Sequence, residues 1–485
     1  MHNNTQVFNE ELSLVTILNC YLSWFVELHY APLSLHSHFE MTSSTISQYT
    51  ATASVQRKQT SSSDSSTTSS KHRIRSKSEI SYCRKRSIVA EKNVLAKSGQ
   101  QISVLERLPT LYRDALLPLN VNEAKDQFIK QNILPTFEFK VTEKRLKTLL
   151  NRNSIVKYDL YEEAKYVLEQ VRQRYDTAEK YYQAAYGPQI STDTAKTLLE
   201  QYLMERKLYT NVTVTFAPGM VCSGRMIAYT KKNSNSNFAG KDRKFVMWVN
   251  NVKENIFLRR TGIICLANHE IETHYLRSFN EGLQPWFKDR AQFGLKDPNC
   301  RQILTTEEGL ASLHTLIEAH QQYLFSSALS YYIICLANKL SFGELFIHLE
   351  RYVKDPNQRW KHLVRIKQGF KDPNQIGAFS RDQCYFEGAV GILRNLATID
   401  FRVLMSGKVS LQDLKRIQRI AHLNVIRLPS FMKDLDQYKK RLQKIAQLNG
   451  LLNQSLQKNI TDIKKLIDVD ISNERTRQSA TCTML

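Results

Sequence analysis

The first hundred residues and the rest of the chain follow different patterns. Apolar positions crowd between Leu12 and Val26 and then thin out: residues 42 to 70 are mostly Ser and Thr, and residues 71 to 100 add a basic run that includes Lys71, Arg73, Arg75, Lys77, Arg84, Lys85 and Arg86. Too few large side chains are present there to offset the entropy of ordering the backbone, so 1–100 is expected to be a disordered tail. From about 105 the pattern turns globular. Tyr161, Ala164, Val167, Leu168 and Val171 recur at helical spacing, and Thr197 to Lys207 forms another helical run. Three strand-like stretches follow at Asn211–Phe216, Arg225–Tyr229 and Lys244–Val249, with the polar loop Lys231 to Lys241 predicting an exposed hairpin connection between the last two. Beyond them helices are predicted over 256–279, 305–326, 326–340, 342–353, 381–397, 411–421 and 428–468. Residues 456–485 lose apolar density, which predicts a helix end and a fraying tail. A few strands followed by helices predict an α+β fold, mostly helical with a small β-sheet, over 101–455.

Charge narrows the class of partner. Lys and Arg number 68 against 46 Asp and Glu, a formal net charge of +22 that favours an anionic partner. Zinc-finger spacing, an RNP-type aromatic motif and a basic region feeding heptads are all missing from the sequence, so nucleic acid is set aside and an acidic protein surface stays in play. The eight cysteines (Cys20, Cys83, Cys222, Cys265, Cys300, Cys335, Cys384 and Cys482) are widely spread with no CxxC pair, which predicts free thiols in a reducing, cytoplasmic setting. The apolar residues of 12–26 are interrupted by Asn19, followed by Glu27 and His29 and preceded by no Lys or Arg, so neither a transmembrane segment nor a secretory leader is expected; Met41 is an alternative start. Cys482 stands in the prenylation position, but Thr483 is a poor aliphatic substitute and no polybasic run precedes it, which argues against lipidation.

The stretch that carries chemistry is Thr261 to Arg277, with His269-Glu270-Ile271-Glu272-Thr273-His274 at its centre. A metallopeptidase needs two imidazoles on one helix face with a carboxylate able to reach the bound water, usually as HExxH. Here the spacing is HExxxH. On a regular helix a five-residue step turns the second ring away by roughly 140°, where a four-residue step leaves it about 40° off. One wide i to i+5 turn restores alignment, so a π-bulge is predicted between His269 and His274. An ordinary Glu270–His274 helix contact is the bland alternative. The best supplier of a third ligand is Thr305-Thr306-Glu307-Glu308-Gly309-Leu310-Ala311, although Thr305 and Glu308 also match a capping box opening a helix.

Together, His269-Glu270-x-x-x-His274 and Thr306-Glu307-Glu308-Gly309-Leu310-Ala311, with Leu117-Pro-Leu-Asn120 upstream and Arg427-Leu-Pro-Ser-Phe431 downstream, resemble the microtubule-associated tyrosine carboxypeptidases, tubulin-detyrosinating metallopeptidases. The resemblance covers roughly 105–450. It implies a zinc-peptidase domain with Zn2+ on His269, His274 and Glu308, Glu270 as general base, and the acidic, tyrosine-terminated tail of α-tubulin on microtubules as substrate and partner. A carboxypeptidase also needs a cation or a cluster of donors for the terminal carboxylate. Arg381 and Tyr385 are the candidates, with Arg277 as an alternative. The rival class is a non-enzymatic microtubule or nucleic-acid binder in which the HExxxH helix is only structural; a metallopeptidase for other peptides is a second.

Overall fold

The computed structural model describes residues 116–230 and 243–483. The expected tail over 1–100 and the 231–241 loop lie outside the described residues. Among the described residues five helices precede the sheet: α1 (Val121–Gln131), α2 (Glu143–Arg152), α3 (Tyr161–Tyr175), α4 (Ala178–Tyr186) and α5 (Thr192–Glu205). The α3–α4 break falls at Asp176, whose φ of 68° lies in the left-handed region, and the Thr177 side chain then accepts the Lys180 N–H to start α4.

The three strands stand where the pattern placed them, at β1 (Val212–Ala217), β2 (Gly224–Thr230) and β3 (Arg243–Asn250). β3 is central, parallel to β1 and antiparallel to β2, so among the described residues β2 lies at an edge of the sheet. The two-residue alternation sorts the faces. Val212, Phe245, Met247 and Val249 join the main core, whereas Ile227, Val246 and Trp248 form a small separate one with Ala217 and Met220.

A broken rod follows the sheet: α6 (Gly262–His269), a π-helical turn (Glu270–Tyr275) and α7 (Leu276–Glu281). Then come α8 (Arg301–Ile317), α9 (Phe325–Leu336), α10 (Phe342–His348), α11 (Pro356–Ile366), α12 (Gln383–Arg394), the short α13 (Phe401–Leu404) and α14 (Leu414–Ile417), α15 (Leu435–Leu448) and α16 (Ile460–Thr483). The fold is α+β and mostly helical. α9 is almost wholly buried, and Tyr332 on it stacks on Tyr161 of α3 with ring centroids 5.2 Å apart. Such buried phenols must bond, and they do: Tyr161 donates to Asp470 at 2.7 Å, and the Tyr332 hydroxyl meets His348 Nε2 at 2.9 Å.

Four expectations are corrected. The helix predicted over 305–326 is displaced: α8 starts at Arg301 and stops at Ile317, and a turn precedes α9. The single helix expected over 428–468 is interrupted after Leu448, where Asn449 caps α15 and Gly450 takes φ 67°. The C-terminal stretch expected to fray is instead α16, because Ile463, Ile467 and Ile471 recur every four residues and are buried. Helix α11, absent from the reading, starts with Asp355 capping the Asn357 N–H and with Pro356 in the first turn.

Helices α8 and α12 make the closest packing in the fold. A Cβ on Gly309 would lie 2.2 Å from the Gly388 carbonyl carbon, and one on Gly388 would lie 1.8 Å from Thr305 O. Two glycines facing each other let the two backbones touch, which sets α8, with its glutamates, against α12, with Tyr385.

Candidate metal centre

The wide turn predicted between the two histidines is present, and its bonding shows why it holds. The Leu276 N–H reaches back to Ile271 O, five residues away, and the Thr273 hydroxyl donates to Asn268 O at 2.9 Å, occupying a carbonyl within the widened turn. Glu272, nearly inaccessible, is clamped from outside by Arg206, by the Ser430 N–H at 2.7 Å and by the Ser430 hydroxyl at 2.8 Å. The Arg427–Phe431 stretch therefore acts on the turn through Ser430. From below, His314 of α8 bridges Thr273 Oγ1 at 2.7 Å and Tyr438 of α15 at 2.8 Å. Burial holds the His314 imidazole well below its usual range, so it stays neutral between these two hydroxyls.

With the turn widened, the two rings converge. Their centroids are 4.9 Å apart, and ligand atoms of His269, His274 and Glu308 all lie within 4.8 Å of one another. Glu308 Oε2 is 3.8 Å from His269 Nε2 and 3.5 Å from His274 Nε2. In a tetrahedron with bonds of about 2.0–2.1 Å, ligand atoms stand about 3.3 Å apart, so the cluster fits a zinc-sized ion after a small contraction. The ring tautomers agree. The Thr315 hydroxyl donates to Ala311 O at 2.8 Å and is left to accept from His269 Nδ1 at 3.0 Å, which turns the lone pair of Nε2 toward Glu308. His274 Nδ1 likewise faces Glu307 Oε1 at 2.7 Å, leaving its Nε2 toward the same point. Glu270 accepts the backbone N–H of Met226, and its Oε2 is buried with no partner. A buried carboxylate oxygen left unmatched beside three converging ligand atoms fits a metal ion or the water such an ion would hold.

The cluster's charges are mutually arranged. Burial raises the Glu270 carboxyl to about 7. Burial, and then the neighbouring His274, push the His269 imidazole down to about 3. For the coupled pair His274 and Glu308, burial opposes both charges, but each holds the other ionised: His274 is raised and Glu308 lowered.

The capping-box reading of Glu308 is overturned. Helix α8 begins four residues before Thr305, with extended Cys300 as its N-cap, so Thr305 is interior and Glu308 is free to face the histidines. Arg277 is also excluded as a carboxylate binder: it is fully buried, ion-paired with Glu307 and bonded to Leu404 O and Val409 O. Arg381 and Tyr385 both line the cleft. Arg381 is close enough to lower the Glu308 carboxyl, and the Tyr385 ring is nearly parallel to His269 at 6.4 Å. Arg365, ion-paired with Asp382, donates to the Tyr385 hydroxyl at 3.3 Å and leaves the phenol proton available.

The reading of the sequence missed three supporting groups. Glu307, held by Arg277 and by Lys408 at 3.2 Å, orients His274; the signal was its place one step before Glu308, which turns it toward α7. Thr315, which orients His269, lies seven residues past Glu308 on the same helix face. Arg365 had no local signal, since only the α11–α12 packing brings it to the cleft. The cleft itself encloses about 550 Å³ and is lined by Arg225, Lys361, Arg365, Arg381 and Lys408 among others.

Fold and cluster define a mostly helical α+β protein whose cleft is built round two histidines and a glutamate with a buried second glutamate beside them. The family described as microtubule-associated tyrosine carboxypeptidase matches residues 236–454. Microtubule-associated tyrosine carboxypeptidase 1 of Homo sapiens is similar to this chain at 33% identity over 333 residues, 67% of this chain and 65% of the relative. The Rattus norvegicus protein of that name is 31% identical over 333 residues, 67% of this chain and 66% of the relative. The chain belongs to the microtubule-associated tyrosine carboxypeptidase family, and it spans just under two thirds of the length of these relatives.

Proposed function

We propose that the protein is a zinc-dependent carboxypeptidase that removes the C-terminal tyrosine from an acidic protein tail, that of α-tubulin on cytoplasmic microtubules. The observation carrying this reading is the convergence of His269, His274 and Glu308 through a π turn, with Glu270 beside them; the names of the relatives supply the reaction and its setting. A zinc ion held by those three side chains would supply a Lewis acid that polarises a carbonyl and acidifies water.

The remaining chemistry belongs to the protein. A carboxyl with the proton affinity of Glu270 takes a proton from water near neutral pH and returns it to the departing amine. Arg381 and the Tyr385 hydroxyl offer a cation and a donor to the terminal carboxylate of the peptide. The formal net charge of +22, with Arg225, Lys361 and Arg381 on the cleft wall, favours an acidic tail, and among the described residues no helix is long and apolar enough to cross a membrane.

The test is incubation with tyrosinated microtubules, comparing wild type with Glu270→Gln and measuring metal content in both. Loss of tyrosine release with stoichiometric zinc retained in the variant is expected. A metal-free wild-type protein, or a fully active Glu270→Gln protein, refutes the assignment. Tails ending in Phe or Glu separate tyrosine preference from general peptidase activity.

A further inference from the structure

The cleft holds a thiol that the proposed reaction does not use. Cys222 sits in the β1–β2 connection, half-buried and free, and lines the cleft. Its loop is pinned: the Asn250 side chain donates to Met220 O at 2.8 Å and to Cys222 O at 3.1 Å, and that of Asn255 donates to Ser223 O at 3.0 Å. Helix α11 is tied to the same region, since Gln358 and Lys361 both donate to Glu254 O at 3.0 Å. The thiol is thereby held beside α11, close enough to Lys361 and Arg365 for its charge to act on both. We propose that Cys222 is a modification site that exchanges with small anionic disulfides of the glutathione type, and that the mixed disulfide closes the cleft to peptide. The closing step rests on the carboxypeptidase reading above; the modification does not.

A thiol alone would say little, but polar groups on the same cleft wall lack protein partners. The Gln368 side chain is 8% exposed, lines the cleft and makes no hydrogen bond. The His362 Nε2 is buried without a partner, and burial, then Lys361 and Arg365, push the imidazole down to about 3, so it is neutral. Burial also lowers the Lys361 ammonium to about 8, which leaves it charged at neutral pH. Arg365 is already paired with Asp382, so Lys361 is the cation on α11 that a new anion meets without breaking an ion pair. Buried polar groups left unmatched call for a partner. Glutathione has peptide groups on either side of its sulfur and a carboxylate at each end, which suit an amide, an imidazole and an ammonium. The cleft of about 550 Å³ is within the range that takes ligands of this size.

The chemistry is a simple exchange. Cys222 gives its proton to solvent and attacks one sulfur of the disulfide; the bond between the reagent's sulfurs breaks as the new one forms, and the released thiolate takes up a proton. The protein thiol is oxidised and half of the reagent is reduced, with no other oxidant needed. Reactive cysteines are partly exposed in electropositive surroundings, whereas buried ones are inert. Among the described residues Cys265, Cys335 and Cys384 are wholly buried, which leaves Cys222 and Cys300 within reach of a reagent. Cys300, the N-cap of α8, is therefore the internal comparison.

The experiment treats the zinc-loaded full chain with glutathione disulfide or with cystamine, a cationic disulfide, at low salt, and follows each cysteine by peptide-mapping mass spectrometry. Cys222 is expected to take up glutathione, about tenfold faster than it takes up the cystamine half, with the ratio falling about threefold in Lys361→Gln. Cys300→Ser is expected to change none of this. Labelling of Cys300 without Cys222, or a Cys222 rate that ignores the charge of the reagent, overturns the proposal. Tyrosine release is then measured on the treated protein. Loss of about tenfold or more is expected in wild type, restored by a thiol reductant and absent in Cys222→Ser. Undiminished release by fully modified wild type overturns the closing of the cleft. If untreated wild type releases no tyrosine, the carboxypeptidase reading fails, and the labelling still decides whether Cys222 is the modification site.

Discussion

Gly309→Ala poses two physical effects of opposite sign against each other. Alanine is favoured over glycine inside a helix by about 1 kcal/mol, so on local grounds the substitution in the middle of α8 stabilises. Packing says otherwise. The new methyl would stand 2.2 Å from the Gly388 carbonyl carbon and 2.5 Å from the Ala389 nitrogen, both backbone atoms that no rotamer change can move. Ordinary contact begins near 3.4 Å, so α8 and α12 must part by about 1.2 Å. Overpacking of this kind costs about 1–3 kcal/mol and occasionally more. Taking the upper figure against the propensity gain, a net loss of about 2 kcal/mol is expected.

The displacement also reaches the site. Glu308 precedes Gly309, and metal–ligand distances tolerate only about 0.2 Å, so zinc affinity is expected to fall along with stability. The assays are the denaturation midpoint of the apo protein, which isolates packing, and zinc competition with a chelator. Gly388→Ala is expected to be worse, because its methyl would meet Thr305 O at 1.8 Å. A Gly309→Ala protein that melts at or above the wild-type temperature and holds zinc as tightly refutes the argument, since propensity would then have won and the glycine contact would be compliant.

Glu307→Gln keeps the shape but removes the charge that orients His274, and a loss of about 10–100-fold in zinc affinity is expected by chelator competition. Glu307→Leu leaves Arg277 buried and uncompensated, with about 3–5 kcal/mol of destabilisation expected in urea titration. His348, buried against Tyr332, has its imidazole pushed down to about 4 from an ordinary value of about 6.5, burial being the main cause. Its folded value is depressed, so the stability it contributes is present above about pH 6.5 and is lost as pH falls toward about 4. That loss approaches about 3 kcal/mol. His348→Gln is expected to flatten the midpoint-against-pH curve in that window alone, and an unchanged slope there contradicts the assignment. Cleavage of an acidic tail is expected to slow steeply as salt rises, through kcat/KM rather than kcat; salt-independent kcat/KM rules out electrostatic capture.

Why the metal cluster was readable and its surroundings were not comes down to the range of the interactions. His269 and His274 belong to one helix, and the mismatch between a five-residue step and 3.6 residues per turn forced the π turn before any tertiary contact was considered. Local rules also misled. Thr305 and Glu308 satisfy the capping pattern, yet α8 starts at Arg301 because Ile303, Leu310 and Leu313 bury along a stripe that extends past it, and burial outweighs a cap of about 1 kcal/mol. Asp355-Pro356 and the Ile463–Ile467–Ile471 spacing were local signals available in the chain, and the elements they announce, α11 and α16, have ordinary caps and stripes. The Gly309–Gly388 approach, the Glu307–Arg277 support and the Arg365 link to Tyr385 join residues 20 to 79 positions apart with no periodicity connecting them. A chain can therefore declare its ligands through one short motif, while the groups that set their tautomers, spacing and charge become visible only when distant helices are brought into contact.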